Sequence, residues 1–216
     1  CMVANLPGKP LKYGSMGKPT FLYDVIIADD EGNELPINEE GNICVKTNTN
    51  KPNGLFKGYL YDKVKEKEVF KNDVYFTGDK AYKDEGGYIW FIGRDDDVIK
   101  ASDYRIGPFE VESILLEHES VLESAVVASP HPIKGFEVKA FIILNDFNLA
   151  SEELAKELFT FSRSQLAPYK MPRKIEFVEE LPKTISGKIR RVELRALQAE
   201  RIAKGIDVAL EFDYKK

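Results

Sequence analysis

"GRDDDVIKASDYRIG", residues 93–107, is the stretch at which the pattern of this sequence changes. Before it, residues 20–93 contain short runs rich in β-branched and aromatic residues, divided by turn sequences such as "KDEGG", which is typical of antiparallel strands. After it, helix-like and strand-like runs alternate. We therefore predict an α+β protein in which a β-rich, barrel-like subdomain (1–94) is joined by a hinge (95–97) to a mixed α+β domain (98–216).

Local signals place the elements of the second part. Pro108 suits the first turn of a helix, and "ESAVVASPH" and "EVKAFIILN" then indicate two strands. Ser151, followed by two glutamates, is typical of a helix N-terminus, and "KIEFVEEL" alternates like a strand. A last charged helix is predicted to end at Gly205.

Composition limits the classes of protein that this chain can belong to. With 216 residues, 43% of them hydrophobic, it has one or two domains, and a net charge of −5 argues against a broadly basic nucleic-acid binder. No apolar run is long enough to span a membrane. Two cysteines, Cys1 and Cys44, offer neither a disulfide framework nor paired metal ligands, so we expect a cytoplasmic protein. The loop-like opening without an initial methionine leads us to expect a piece of a longer chain.

Three residues near the middle of the chain are candidate nucleotide ligands. Asp79 ends "YFTGD", where a carboxylate at a strand end could accept both hydroxyls of a ribose, although capping a turn is the commoner role of such an aspartate. Arg94 and Arg105 flank the acidic run, and guanidinium groups suit phosphates. Surface ion pairs in a loop explain these arginines equally well.

The strongest local positive charge lies in residues 163–204. Within it, "TISGKIRR" puts a glycine directly before Lys188, so a turn there could hold the ammonium group out to an anion. The motif is not a Walker A loop, because the glycine spacing and the following Ser or Thr are absent. On charge alone, a solvated surface lysine is the simpler interpretation. Arg163 lies in the first part of this stretch, "FSRSQLAPYKMPRK", which ends a predicted helix, and the helix dipole alone would favour cations there.

The order of the motifs carries a resemblance to a known family. They are "GSMGKPTFLYDVIIADDEGNELPINEEGNICVK", "YFTGD", "GYIWFIGRDDDVIKASDYRIGPFEVE", "VVASPHPIKGFEVKAFIIL" and "LPKTISGKIRR". In this order they resemble the C-terminal part of AMP-forming acyl-CoA synthetases, of the adenylate-forming superfamily. The medium-chain branch looks closest. The resemblance covers nearly the whole chain, all but about the last dozen residues.

The resemblance implies roles for the candidate nucleotide ligands. Asp79 matches the aspartate that binds the ribose hydroxyls of ATP, Arg94 matches an arginine near the nucleotide, and Arg105 matches the arginine on the phosphate side. Lys188 matches the catalytic lysine that bridges the carboxylate and the α-phosphate. The implied substrates are a carboxylic acid, ATP with Mg²⁺, and CoA, and no residue of the chain is predicted to ligate a metal.

The resemblance also implies a moving domain and a thiol site. Asp96 matches the hinge residue, about which the second domain rotates between the two half-reactions. Ser102, Asp103 and Tyr104 match the segment near the CoA tunnel, and Arg163 is a candidate contact for a CoA phosphate. The family usually has glycine where this chain has Asp103, which puts the fit of CoA in doubt.

The implied function is that of an acyl-CoA synthetase of fatty acid metabolism, of which this chain is the C-terminal part. The family's phosphate loop, its adenine-binding motif and most of its acyl pocket have no counterpart in residues 1–216, so we expect the missing N-terminal portion to be a partner and the fragment alone to be inactive. Two alternatives stay open. The chain could be a catalytically silent partner-docking module that retains the fold, or part of another adenylate-forming ligase.

Overall fold

The computed structural model describes residues 1–48, 52–102 and 104–214. The chain divides into two compact units, Cys1–Asp96 and Asp97–Lys216. The division falls within the segment 95–97, for which the sequence predicts a hinge. That this segment bends stays a prediction.

The first unit is built mainly of antiparallel strands. Its central sheet has the order β3-β4-β6-β5, with β7 also paired to β6, and β1 and β2 form a separate ribbon. Alternate residues of β3 enter two apolar clusters, Ile27 in one and Ile26 in the other, as the two-residue period of a strand requires. The elements are β1 (Val3–Ala4), β2 (Lys18–Pro19), β3 (Val25–Ala28), β4 (Gly41–Lys46), α1 (Lys63–Val69), β5 (Phe70–Lys71), β6 (Val74–Lys83) and β7 (Ile89–Arg94).

Helix α1 was not predicted from the sequence, whose patterns indicate only strands and turns in this region. It begins after Asp62, whose carboxylate accepts a hydrogen bond from the backbone N–H of Lys65 at 2.9 Å. None of its residues is buried. The helix therefore buries none of its faces, and the apolar periodicity that would have indicated it is missing.

The second unit is a three-layer α+β domain. Its sheet has the order β10-β11-β12-β13, in which only the β11–β12 pair is parallel, and β8 and β9 form a separate hairpin. The elements are β8 (Ile99–Ala101), β9 (Tyr104–Ile106), α2 (Pro108–Leu116), β10 (Val121–His131), β11 (Gly135–Leu144), a 3-10 turn (Phe147–Leu149), α3 (Glu152–Gln165), β12 (Lys174–Phe177), α4 (Arg191–Lys204) and β13 (Glu211–Asp213).

Helices cover both faces of this sheet. Val126 of β10 packs in a cluster with residues of α2 and α3, whereas its neighbours Ala125 and Val127 pack with Leu194 of α4. Burying one such Leu or Val side chain contributes roughly 1.5–3 kcal/mol. Because both faces of the sheet are covered, successive residues of β10 and β11 are buried on alternate sides, and the two strands are therefore nearly continuous apolar runs in the sequence.

The predicted helix signals are confirmed in the second unit. Ser151 Oγ accepts a hydrogen bond from Leu154 N at 3.3 Å, Pro108 is the first residue of α2, and Gly205 ends α4 with a φ of 62°. The mixed α+β fold class is confirmed. The short hairpin β8–β9 and the edge strand β13 were not predicted.

Candidate nucleotide, thiol and lysine sites

Asp79 and Arg94 lie directly opposite each other on β6 and β7. Arg94 Nε is 3.7 Å from Asp79 Oδ1 and 3.5 Å from Asp96 Oδ1, so one guanidinium group lies between two carboxylates. The Arg94 side chain is 53% exposed, and exposed ion pairs of this kind contribute little to stability. The arginine can therefore exchange these carboxylates for a ligand at small cost.

The strand around Asp79 holds its carboxylate in a partly dry position. Thr77 Oγ1 donates to Ile43 O at 2.9 Å and accepts from Asp79 N at 3.2 Å. Gly78 has a φ of +83°, and a Cβ at this position would come within 3.1 Å of Arg94 Nη2. Burial raises the pKa of Asp79, Arg94 lowers it again, and the negative charge of Asp96 adds to the increase.

The predicted thiol-site residues lie on the β8–β9 hairpin of the second unit. Ser102 is exposed, has a φ of 54° and donates its N–H to Lys134 O at 3.3 Å. Tyr104 stacks on Tyr169, with ring centroids 4.1 Å apart and planes inclined by 14°. Arg105 is exposed and lies opposite Lys100 in the hairpin. Asp103, which is also predicted to lie at the thiol site, is outside the residues that the structure describes.

Arg163 lies elsewhere in the second unit, near the end of α3. Its Nη1 donates to the hydroxyl of Tyr214 at 2.9 Å, and the side chain is exposed. A neutral phenol does not neutralise the guanidinium charge, so the arginine keeps its capacity to bind a phosphate. Its role at a thiol site stays a prediction.

Lys188 lies in a tight hairpin between β12 and α4. Thr184 N donates to Lys188 O at 2.8 Å, Gly187 N donates to Thr184 O at 2.9 Å, and Lys188 N donates to Thr184 Oγ1 at 3.1 Å. Gly187 has a φ of +80° and open space around it, which is the geometry that favours glycine. The turn therefore has a defined backbone, although all the residues at its tip are exposed.

The side chain of Lys188 makes no ion pair with any residue that the structure describes. Its neighbours differ, since Lys183 binds Glu123 at 2.7 Å and Arg190 binds Glu193 at 2.5 Å. An unpaired ammonium group on an ordered turn is suited to meet an incoming anion.

The structure thus brings some of the predicted site residues together and leaves others apart. Asp79, Arg94 and Asp96 form one cluster in the first unit. In the second unit, Ser102, Tyr104 and Arg105 share a hairpin, whereas Arg163 and Lys188 lie on separate elements.

One charged network was not predicted from the sequence. Asp97 contacts Arg195 and Arg191, and Arg191 also binds Glu112 at 2.7 Å. The four-residue spacing of Arg191 and Arg195, which places both on one face of a helix, was the available signal. Their acidic partners are more than 75 positions away in the chain, and no local pattern indicates them.

The described residues contain no group of three or more metal-ligating side chains arranged to hold an ion. If Mg²⁺ accompanies ATP, nucleotide oxygens are its expected ligands.

Comparison with known proteins identifies the class. A family model described as the AMP-binding enzyme C-terminal domain matches residues 110–188, a range that ends at Lys188. Residues 110–188 therefore match the AMP-binding enzyme C-terminal domain. The resemblance to the C-terminal part of acyl-CoA synthetases is confirmed.

Individual relatives support the same class. The chain is 56% identical over 205 residues to 4-hydroxybutyrate–CoA ligase 1 of Metallosphaera sedula, covering 94% of this chain and 36% of the relative. It is 53% identical to the mitochondrial acyl-coenzyme A synthetase ACSM3 of Rattus norvegicus, covering 88% of this chain and 33% of the relative. The crystal structure of the anthranilate CoA ligase AuaEII in complex with anthranoyl-AMP superimposes with a TM-score of 0.82 at 37% identity, covering 94% of this chain and 37% of that one.

The chain thus spans about a third of the length of the relatives that it matches. Within the described residues, no helix combines the length and the apolar character needed to cross a bilayer.

Proposed function

We propose that this chain is the C-terminal part of a ligase that activates a carboxylic acid with ATP to an acyl-adenylate and then transfers the acyl group to CoA. The observation that carries the proposal is Lys188, an exposed lysine on an ordered glycine turn with no ion-pair partner in the described residues. A lysine whose only purpose was solubility would not need this backbone geometry.

Lys188 acts on the first half-reaction in this proposal. The carboxylate of the acid attacks the α-phosphorus of ATP, a bond forms between carboxyl oxygen and phosphorus, and pyrophosphate leaves. Two anions must approach each other, and negative charge builds up on the phosphate oxygens. An ammonium group between them reduces the repulsion and stabilises this charge, which is an electrostatic and orienting role.

The cluster in the first unit binds the nucleotide in this proposal. The carboxylate of Asp79 accepts hydrogen bonds from the two ribose hydroxyls. Arg94 forms only exposed ion pairs with Asp79 and Asp96, and in this proposal it leaves them to contact the nucleotide. Arg105 is exposed on β9 and acts on the phosphate side.

The second half-reaction requires a rotation of the second unit about Asp96. The thiolate of CoA attacks the acyl carbon, forms the thioester and releases AMP. Ser102 and Tyr104 of the β8–β9 hairpin then lie beside the pantetheine arm, Asp103 is assigned to the same thiol site, and Arg163 contacts a CoA phosphate. The exposure of Ser102 and Tyr104 and the stack of Tyr104 on Tyr169 support this role of the hairpin.

The acid is proposed only as a carboxylic acid of unspecified chain. The names of the relatives refer to hydroxybutyrate and to anthranilate, which share a carboxylate and little else. The bound anthranoyl-AMP of the solved relative supports an acyl-adenylate intermediate. A reducing compartment such as the cytoplasm is proposed on the cysteine content alone.

The test is Lys188→Ala in the full-length protein. We expect adenylate formation from acid and ATP to fall by about 10²–10³, the usual effect of removing one preorganised electrostatic contact. Transfer from a supplied acyl-adenylate to CoA should change much less, because the rotation removes the lysine from the site. Pyrophosphate release and thioester formation, measured separately, give the two rates.

Lys183→Ala is the matched control, since it removes a lysine of the same hairpin that is already paired with Glu123. It should leave both rates close to wild type. Lys188→Arg should recover only part of the activity, because a planar guanidinium does not replace a compact charge. An equal loss of both half-reactions in a folded Lys188→Ala protein would contradict the proposal, and a wild-type protein without either activity would favour the docking module.

A further inference from the structure

The aspartates at the junction of the two units have different surroundings. Asp95 belongs to the first unit, where its N–H donates to Gly78 O at 2.9 Å and its carboxylate lies 3.2 Å from Lys80. The Asp95 side chain is 58% exposed, so this ion pair is a weak one. Asp97 begins the second unit and its side chain is only 11% exposed.

Asp97 is held by two arginines of α4. Its Oδ1 accepts a hydrogen bond from Arg195 Nη1, and its Oδ2 lies 3.6 Å from Arg191 Nη1. A carboxylate with two cationic partners in a largely water-free position has one favourable arrangement. The first residue of the second unit is therefore fixed to helix α4.

The same arginine reaches further into the domain. Arg191 donates to both oxygens of Glu112, with Nε 3.1 Å from Oε1 and Nη2 2.7 Å from Oε2, and Glu112 Oε1 also accepts the N–H of Val126 at 2.7 Å. These bonds join α4 to α2 and to β10. Each member of the network has its charge or its hydrogen-bonding capacity satisfied, which is the condition for a buried polar network to be rigid.

The network ends at the base of the lysine hairpin. Arg191 is the first residue of α4, three positions after Lys188, and the preceding residue, Arg190, donates its N–H to Pro182 O at 2.8 Å to close the hairpin. A displacement of the start of α4 relative to Asp97 therefore moves the turn that carries Lys188. The β8–β9 hairpin has an additional attachment of its own, since Ser102 N donates to Lys134 O on the turn between β10 and β11.

We propose that Asp97 is a positioning residue for Lys188. Through Arg195 and Arg191 it couples the junction to the hairpin, so that a rotation about residues 95–96 carries the lysine as part of a rigid body. Asp97 touches no reacting atom in this mechanism. The inference rests on the proposed function for its effect on adenylate formation, whereas the anchoring itself is a property of the fold.

The test is Arg195→Met in the full-length protein, because it removes the strongest partner of Asp97 and leaves the junction sequence intact. We expect adenylate formation to fall by about 10- to 100-fold, the range that follows from a misplacement of about 1 Å, and transfer from a supplied acyl-adenylate to stay within about 3-fold. Cleavage by a broad-specificity protease at residues 95–98 should become several-fold faster.

Two further variants make the test specific. Lys204→Met removes an exposed cation of the same helix, paired with Glu200, and should change neither rate nor cleavage. Asp97→Asn keeps the side-chain shape and should reproduce the effect of Arg195→Met, and the double variant should be no worse than either single one.

Unchanged cleavage at 95–98 in Arg195→Met would overturn the anchoring, whatever the activity. Faster cleavage with an equal loss of both half-reactions, or with none, would overturn the positioning role. A wild-type protein that forms no acyl-adenylate would overturn the proposed function instead, and the cleavage measurement would still decide the anchoring.

Discussion

At the scale of single residues, the two candidate polar groups with the clearest roles have opposite surroundings. Asp79 is partly buried beside a cation, and the ionised carboxylate is the form that can accept two hydroxyls. Lys188 is exposed on a turn that backbone hydrogen bonds close. The partly buried carboxylate of Asp79 favours selective binding of the nucleotide. The exposed ammonium group of Lys188 favours contact with a reacting anion that arrives later.

The raised pKa of Asp79 gives a prediction about pH. Burial raises this pKa above its ordinary value, so the carboxylate takes up a proton at a higher pH than an exposed aspartate does. As the pH falls towards this raised pKa, the charged acceptor is lost and the KM for ATP should rise. Each charge-assisted hydrogen bond lost costs roughly 1.5–3 kcal/mol, so we expect Asp79→Asn to raise the KM for ATP at least about tenfold at neutral pH.

In Asp79→Asn the KM for ATP should also lose its dependence on pH in this acidic range, because the titrating group is gone. Asp24→Asn, at an aspartate that is 67% exposed and 4.0 Å from its lysine partner, serves as the control and should behave like wild type. A wild-type pH profile in Asp79→Asn would remove Asp79 from the nucleotide site.

At the scale of the elements, a buried lysine joins the layers of the second unit. Lys139 of β11 is fully buried, and its ammonium group contacts Glu176 Oε2 and Gln198 Oε1 at 2.6 Å each, and also Glu211. These partners lie on β12, α4 and β13. Burial alone would raise the pKa of Glu211, but its bonds to Lys139 and Lys174 lower it. The short strand β13 is thus held to the sheet by charge as well as by its backbone.

Removing this lysine should destabilise the second unit strongly. Lys139→Met removes the cation that Glu176 and Glu211 share, although Arg201 and Lys174 still pair with them. We therefore expect the loss to lie near the lower end of the about 3–5 kcal/mol that breaking a buried pair typically costs. Urea unfolding followed by far-UV circular dichroism measures the change. Lys156→Met, at an exposed lysine paired with Glu152 on α3, should cost less than about 0.5 kcal/mol, and similar values for the two variants would show that the cluster is not a major source of stability.

At the scale of the whole molecule, the chain consists of two units that each have their own apolar core. The junction has a charged sequence, in which Asp95 has an exposed ion pair and Asp97 a buried one. β11 is the opposite case, since it has strands on both sides and its residues 137–142 are all buried. Local opening should therefore be easier at the junction than in the sheet.

Limited proteolysis of the protein checks this difference. A broad-specificity protease should cut first at residues 95–97 or in the terminal loops, and β11 should resist until the second unit unfolds. Digestion in increasing urea provides the control, because β11 should become sensitive only in the unfolding transition. Early cleavage within residues 135–144 under native conditions would contradict the division.

Much of the fold follows from local signals that act over a few residues. Ser151 satisfies N–H groups of the first turn of α3, Gly205 adopts the left-handed conformation that ends α4, and the apolar runs on either side of His131 pair as β10 and β11. Helix α1 escaped prediction because no buried residue marks its period. For the candidate site, the order of the motifs singled out Asp79 and its companions, but their roles still depend on the experiments above.

The sequence by itself determined the class of fold, because capping, turns and alternation are short-range effects, and the order of its motifs singled out the candidate residues. Only the tertiary structure decided which charges are paired. Asp97 meets Arg195, 98 positions away, and Lys139 meets Glu211, 72 positions away. Lys188 stays unpaired among the described residues, although it lies in the same basic stretch as Arg191. Ion pairing depends on the distance between two charges in space and on their burial, and the order of charges along the chain gives no information on either.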